Sequence, residues 1–278
     1  MTVPRLLPRE NEKILPLGSI LMGERIRDFA LIGDHIYLLA NDRLSVVDVS
    51  TPTAPEKVQT VKVDPSWSLS RMASIESHLC AGGWHAGVPA DSAGIICFDV
   101  TVPEAPSISG TTMLLSDYYR GDSDSGFEMG RQTIDVQAVN GTLLIPNVTE
   151  RHSELLAVRV DDGGVPAVQD SIVLETYQYP EEVWEDNNRY IRAAYVARHR
   201  FAVVAAGDHA CLGLRSGLAI VAVDAHGNLQ ELSRTEFGDV RQSTSGLARV
   251  VTAQGTRVFF RRLWPTEFVE FDVADPEQ

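Results

Sequence analysis

A phrase repeats along this chain: a short apolar strand that ends in an acid, then a Pro-rich step into a further strand. Its first copy is Leu44-Ser45-Val46-Val47-Asp48-Val49-Ser50-Thr51-Pro52, and its second is Ile95-Ile96-Cys97-Phe98-Asp99-Val100-Thr101-Val102-Pro103. A third clear copy is Val269-Glu270-Phe271-Asp272-Val273-Ala274-Asp275-Pro276. Weaker ones lie between, at Leu156-Ala157-Val158-Arg159-Val160 and Ile220-Val221-Ala222-Val223-Asp224. With positions 48, 99, 159, 222 and 272 taken as equivalent, the steps are 51, 60, 63 and 50 residues. A period of about 50 built from strands marks a propeller or a related array, whose units bury their apolar faces only against neighbours. The phrase constrains the architecture and names no reaction.

Alternation, β-branched residues and Gly, Asn or Pro punctuation divide each period into four strands. In the first they cover residues 27–32, 35–40, 44–49 and 57–63. Gly33-Asp34 is a tight-turn signal between the first two, echoed by Asn140-Gly141 and Gln254-Gly255. Later first strands are expected to begin near Ser70, Thr133, Ile191 and Leu247. No segment sustains helical spacing over three turns. The expected fold is all-β: a single β-propeller of five four-stranded blades, covering 26–66, 67–116, 130–176, 189–238 and 246–278. The last blade lacks a fourth strand, and the apolar N-terminal stretch 13–22 is expected to supply it and so remove an open edge.

Composition narrows the partners. Twenty-four Lys and Arg face 38 Asp and Glu, a net charge of -14. Phosphate backbones and anionic membranes both need clustered basic residues, so neither is an expected partner. No apolar run approaches the roughly 18 residues of a spanning helix. The first ten residues carry no apolar h-region, and Cys80, Cys97 and Cys211 are few and widely spaced. The expectation is a cytoplasmic protein with reduced thiols.

The first two copies of the phrase resemble the LVIVD-repeat family of β-propellers. Asp34-His35-Ile36-Tyr37-Leu38-Leu39-Ala40 followed by Leu44-Ser45-Val46-Val47-Asp48-Val49-Ser50-Thr51-Pro52 carries the likeness. In the third and fourth repeats the Asp-Val-Ser element has decayed to Arg159-Val160-Asp161 and Ala222-Val223-Asp224. The resemblance implies a fold and no particular activity.

Chemistry is expected on one face. Connections between first and second strands are two to four residues, and third-to-fourth links are short, so the long insertions gather at the other end. These include residues 116–130, rich in Asp with Tyr118 and Tyr119, and 177–188, with Tyr179 and Trp184. Loops of that length in a compact fold usually carry function. Trp84 and Trp264 add aromatic surface, and His85, His152 and His209 are read as loop residues of successive blades. One of these histidines is expected as a general acid or base, since imidazole titrates near neutrality. A three-histidine metal site is disfavoured by unmatched offsets, and Asp122-Ser123-Asp124-Ser125-Gly126 lacks the rest of a calcium loop. Cys211 is read as a loop thiol.

Counting back from each tight turn, one channel register holds Asp28, Arg71, Asp135, Ala193 and Arg249. Two readings stay open: ion pairing between blades, or a reactive ring with Asp135 or Asp28 as base and Arg71 or Arg249 as anion clamp. The catalytic candidates are therefore His85, Asp135, Arg71, His209 and Asp28. Those for substrate contact are Trp84, Tyr118, Tyr119, His152, Tyr179, Trp184, Arg249 and Trp264. The expected function is acid–base transformation of a small molecule, of lyase, isomerase or cyclase type, with no metal and no organic cofactor. The alternative is a non-catalytic propeller binding a protein or small ligand through the same face.

Overall fold

The computed structural model describes residues 18–86, 92–114, 135–148, 152–176, 202–214, 217–236, 249–254, 257–263 and 266–272, the last three stretches by their backbone alone. They form strands and turns and no helix. The first sheet holds β1 (Asp28–Ile32), β2 (His35–Leu39), β3 (Arg43–Asp48) and β4 (Glu56–Lys62). The second holds β5 (Trp67–Ile75), β6 (His78–His85), β7 (Ser92–Asp99) and β8 (Ser107–Leu114). The third holds β9 (Gln137–Val139), β10 (Thr142–Val148), β11 (His152–Val160) and β12 (Pro166–Thr176). The fourth holds β13 (Ala202–Ala206), β14 (His209–Gly213), β15 (Gly217–Val223) and β16 (Leu229–Glu236). A last sheet of three described strands holds β17 (Arg249–Gln254), β18 (Arg257–Leu263) and β19 (Thr266–Asp272).

Each sheet is an antiparallel meander in chain order. The first strands of successive sheets lie side by side, β1 by β5, β5 by β9, β9 by β13 and β13 by β17. The core is thus a set of layers between sheets. Ile96 and Phe98 pack toward Tyr37, Leu39, Leu44 and Val46 of the first sheet. Ile95 and Cys97, pointing the other way, pack toward Leu143, Ile145, Leu156 and Val158 of the third. Because side chains alternate along a strand, a strand covered on both faces must be apolar at every position. That is why Ile95-Ile96-Cys97-Phe98 and Leu143-Leu144-Ile145 are unbroken runs.

The repeat phase read from sequence is the phase of the sheets. Asp48 pairs with His35, Asp99 with His78, Ala222 with His209 and Asp272 with Arg257, each partner opening a second strand. A β-bulge interrupts the third-to-fourth strand ladder at the same repeat position four times, at Val46/Val47, Cys97/Phe98, Ala157/Val158 and Ile220/Val221. The acid of the phrase ends the third strand. Asp48 Oδ1 accepts from Ser50 N at 2.7 Å, and Asp99 Oδ1 accepts from Thr101 N at 2.9 Å. Such Asx turns reverse the chain with local bonds, and Pro then prevents the strand from resuming.

Three expectations need correction. The first strand of the fourth sheet, expected near Ile191, is β13, and Gly207-Asp208 is the tight turn that joins it to β14. Gly207 adopts φ +65, as Gly33 adopts φ +57, and in both places the sequence is Gly-Asp-His. Second, β9 begins at Gln137, a few residues after the expected Thr133. Third, Cys80 and Cys97 form a disulfide, because β6 and β7 place them directly opposite one another with Cα atoms 4.0 Å apart. Spacing along the chain concealed a pairing that the hairpin creates, and the cysteine argument for a reducing compartment goes with it.

Candidate functional site

The strand direction defines two ends. Two-residue turns at Gly33-Asp34, Glu76-Ser77, Asn140-Gly141 and Gly207-Asp208 gather at one, and the remaining first-strand entries and second-to-third connections gather at the other. Asp28 pairs with Leu39, Arg71 with Gly82 and Arg249 with Arg261, which confirms one common register along the first strands. In the fourth sheet that register belongs to Ala202, paired with Gly213; Ala193 lies outside the described residues.

Three of these residues meet across adjacent blades. Arg71 Nη1 stands 3.9 Å from Asp28 Oδ1. Asp28 Oδ2 accepts from Met72 N at 2.9 Å, and its Oδ1 accepts from Phe29 N at 3.0 Å, so this carboxylate straps β1 to β5. Asp135, just ahead of β9, accepts from Val136 N at 3.1 Å. Burial pushes the Asp135 carboxyl above the ordinary aspartate range, against the pull of the Arg71 guanidinium and bonds from Gln137 and Val136, with Asp28 adding to the rise. Arg71 itself is half exposed, its side chain 49% accessible. A carboxyl raised in this way beside an accessible guanidinium can donate or accept a proton next to a site for negative charge.

His85 closes β6 at the loop end. Its Nε2 is 2.8 Å from Ser66 Oγ, and its ring meets Trp67 edge-on at 5.2 Å. Trp67 pairs with His85 while Arg71 pairs with Gly82, so the two levels are three rungs apart across the bulge, roughly 10 Å. His152 opens β11 at the same end, with Nε2 3.6 Å from Glu154 Oε2, whose other oxygen accepts from Asn147 Nδ2 at 2.6 Å.

His209 is a correction. It opens β14 directly after a tight turn, at the opposite end of the molecule from His85 and His152, with Nδ1 2.7 Å from Asp208 Oδ1. The repeated Gly-Asp-His triplet was the signal that could have placed it. Cys211 is likewise a strand residue; it is fully buried, and burial raises its thiol to about 12. Trp84 is half buried and packs on the layer between the second and third sheets. Tyr118, Tyr119, Tyr179, Trp184 and Trp264 lie outside the described residues, as does the 122–128 acidic run. Of Arg249 only the backbone register is defined. Among the described residues no three His, Cys, Asp or Glu side chains converge as metal ligands.

Sequence reasoning missed residues at both ends. His35 and His78 open their second strands and reach the following blade, His35 Nε2 lying 3.7 Å from Glu104 Oε1 and His78 packing on Gly164. At the loop end, Asp64 and Ser66 join His85; the Asp-x-Ser turn ahead of β5 was the available cue.

Serial four-stranded meanders, joined through their first strands and cored between sheets, define a β-propeller type of protein. A crystal structure of a protein from Lactobacillus plantarum, solved by a structural genomics consortium, superimposes with a TM-score of 0.58 at 14% identity, covering 88% of this chain and 70% of that one. At that identity the likeness concerns the fold. No family model matches the chain, and no curated protein matches it.

Proposed function

We propose that the protein is an enzyme that transforms a small polar molecule by acid–base chemistry at the loop end of its central channel. The observation that carries this is the proximity of Asp135, a carboxyl raised above the ordinary aspartate range by burial, to the accessible guanidinium of Arg71. Asp135 acts as the acid or base, and Arg71 steadies the negative charge that develops on substrate. Asp28 aligns Arg71 while strapping two blades. A lyase, isomerase or cyclase reaction fits this inventory, since it needs proton transfer and charge stabilisation without a nucleophile.

The test is a survey of small polar acids, lactones and hydroxy compounds incubated with the purified protein and followed by NMR. At least one is expected to be consumed, and Asp135→Asn should slow that reaction by about 100-fold or more. Consumption unaffected by Asp135→Asn would defeat the assignment. Binding without consumption would favour the second reading, a ligand-binding propeller using the same face.

The finer architecture belongs to the same proposal: five blades, the last completed by the N-terminal stretch, in the manner of LVIVD repeats. Support comes from Gly18, which lies against Pro52, Thr53 and Pro55, the third-to-fourth strand turn of the first sheet. Gly110 on the fourth strand β8 lies in the same way against Gly164 and Val165 of the next sheet's turn. Residue 18 therefore occupies, relative to the first sheet, the place that a fourth strand occupies relative to its successor. The pairing of residues 13–17 with β19 lies outside the described residues.

A further inference from the structure

A second polar row crosses the loop end, away from the channel charges. Asp64 Oδ1 accepts from Ser66 N at 2.8 Å and also from Ser66 Oγ. The same Ser66 Oγ is 2.8 Å from His85 Nε2. A hydroxyl has one proton to give and two lone pairs. With that proton committed to Asp64, Ser66 can only accept from His85, so Nε2 carries the hydrogen. A neutral imidazole then keeps its lone pair on Nδ1. Nδ1 is buried and has no hydrogen-bond partner among the described residues. The Trp67 ring, inclined at 72° to the imidazole, fixes its plane. A buried acceptor left open in an otherwise bonded row marks a place where a donor belongs.

We propose that Asp64 and Ser66 are positioning residues that hold neutral His85 with its proton on Nε2, and that Nδ1 is the proton acceptor for a hydroxyl or ammonium group of the small ligand. The proposal rests on the loop end being the ligand face. A nucleophilic Ser66 is the competing reading, and the geometry opposes it. Its base would have to take the proton that Asp64 already accepts, and among the described residues no group orients His85 through Nδ1 as a nucleophile's base requires.

The decisive measurement is the tautomer of His85 in the ligand-free protein, from long-range proton–nitrogen NMR at about pH 9, where histidines are ordinarily neutral. The signal is assigned with His85→Gln. Wild type should show a single Nε2–H form. Asp64→Ala frees the hydroxyl to donate to Nε2 and should swing the ring toward Nδ1–H. Ser66→Ala should abolish the preference, and Ser66→Thr, which keeps the hydroxyl, should restore it. An Nδ1–H form in wild type, or spectra unmoved by Asp64→Ala and Ser66→Ala, would overturn the relay. Labelling of Ser66 by a fluorophosphonate would overturn it too, by making Ser66 the nucleophile. A compound found bound in the survey that leaves the Nδ1 resonance unmoved would remove the ligand role. Because the tautomer is read without turnover, the relay can stand where the enzyme reading fails, and the reverse.

Discussion

Asp135 shows how one residue's chemistry and stability pull apart. Its carboxyl is raised in the folded state chiefly by burial. The folded form therefore holds its proton to higher pH than the unfolded chain does, and stability falls as pH climbs from the unfolded aspartate value of about 3.9 through the folded one. Asp135→Asn removes the penalty. Thermal denaturation should find the variant at least as stable as wild type at pH 7, with any gain vanishing below about pH 3, where the wild-type carboxyl is protonated in the folded and unfolded states alike. A large loss at pH 7 would instead make Asp135 a structural ion-pair partner. Cys211 offers a simpler residue-scale prediction. A fully buried thiol raised to about 12 has almost no thiolate at neutral pH, so the native protein should resist thiol reagents and react once unfolded.

At the scale of elements, the hairpin is the unit that turns local chemistry into repeat structure. The Asp-x-Ser/Thr turn ends the third strand with bonds to its own backbone, and the bulge two residues earlier adds twist at the same place in four sheets. In the second blade the β6–β7 hairpin also carries the Cys80–Cys97 disulfide, across a separation of 17 residues. A link closing a loop of that size stabilises by about 3 kcal/mol through the unfolded state. Replacing both cysteines with Ala should lower the denaturation free energy by at least that amount, since the two side chains also fill the layer between the second and third sheets. Urea denaturation of the two forms measures it, and an unchanged midpoint would deny the disulfide any stabilising role.

For the whole molecule, closure is the question that matters, because an array with two free ends leaves apolar faces uncovered. Phe29 and Leu31, on the face of β1 away from the second sheet, are 68% and 64% exposed. Glu24 and Gly18 cross that same sheet farther out, Glu24 bonding Ser45 at 3.1 Å and lying 3.3 Å from Arg43. If this stretch completes the last blade, Gly18→Val should lower stability by about 1–3 kcal/mol, since any Cβ there meets Pro52, Thr53 and Pro55. A variant that melts with wild type would mean that residue 18 is held loosely and closes nothing.

Much of this architecture was legible because it is written locally. Strand alternation, tight turns and the recurring acid are decided by residues within a few positions of each other, and positions 48, 99, 222 and 272 proved to share one register. The shared register of the first-strand charges was legible for the same reason, since counting from a turn is a local operation. His209 went astray because one Gly-Asp turn was read as loop, which displaced the residues before and after it by a strand. What only the tertiary structure decided were contacts between groups far apart in sequence or on different strands. The Cys80–Cys97 bond, the Asp28 strap onto Met72 and the Ser66 hydroxyl between Asp64 and His85 all belong to that kind. Periodicity fixes which face a side chain takes, while the meeting of two faces depends on how sheets twist and pack against each other, and no short-range pattern encodes that.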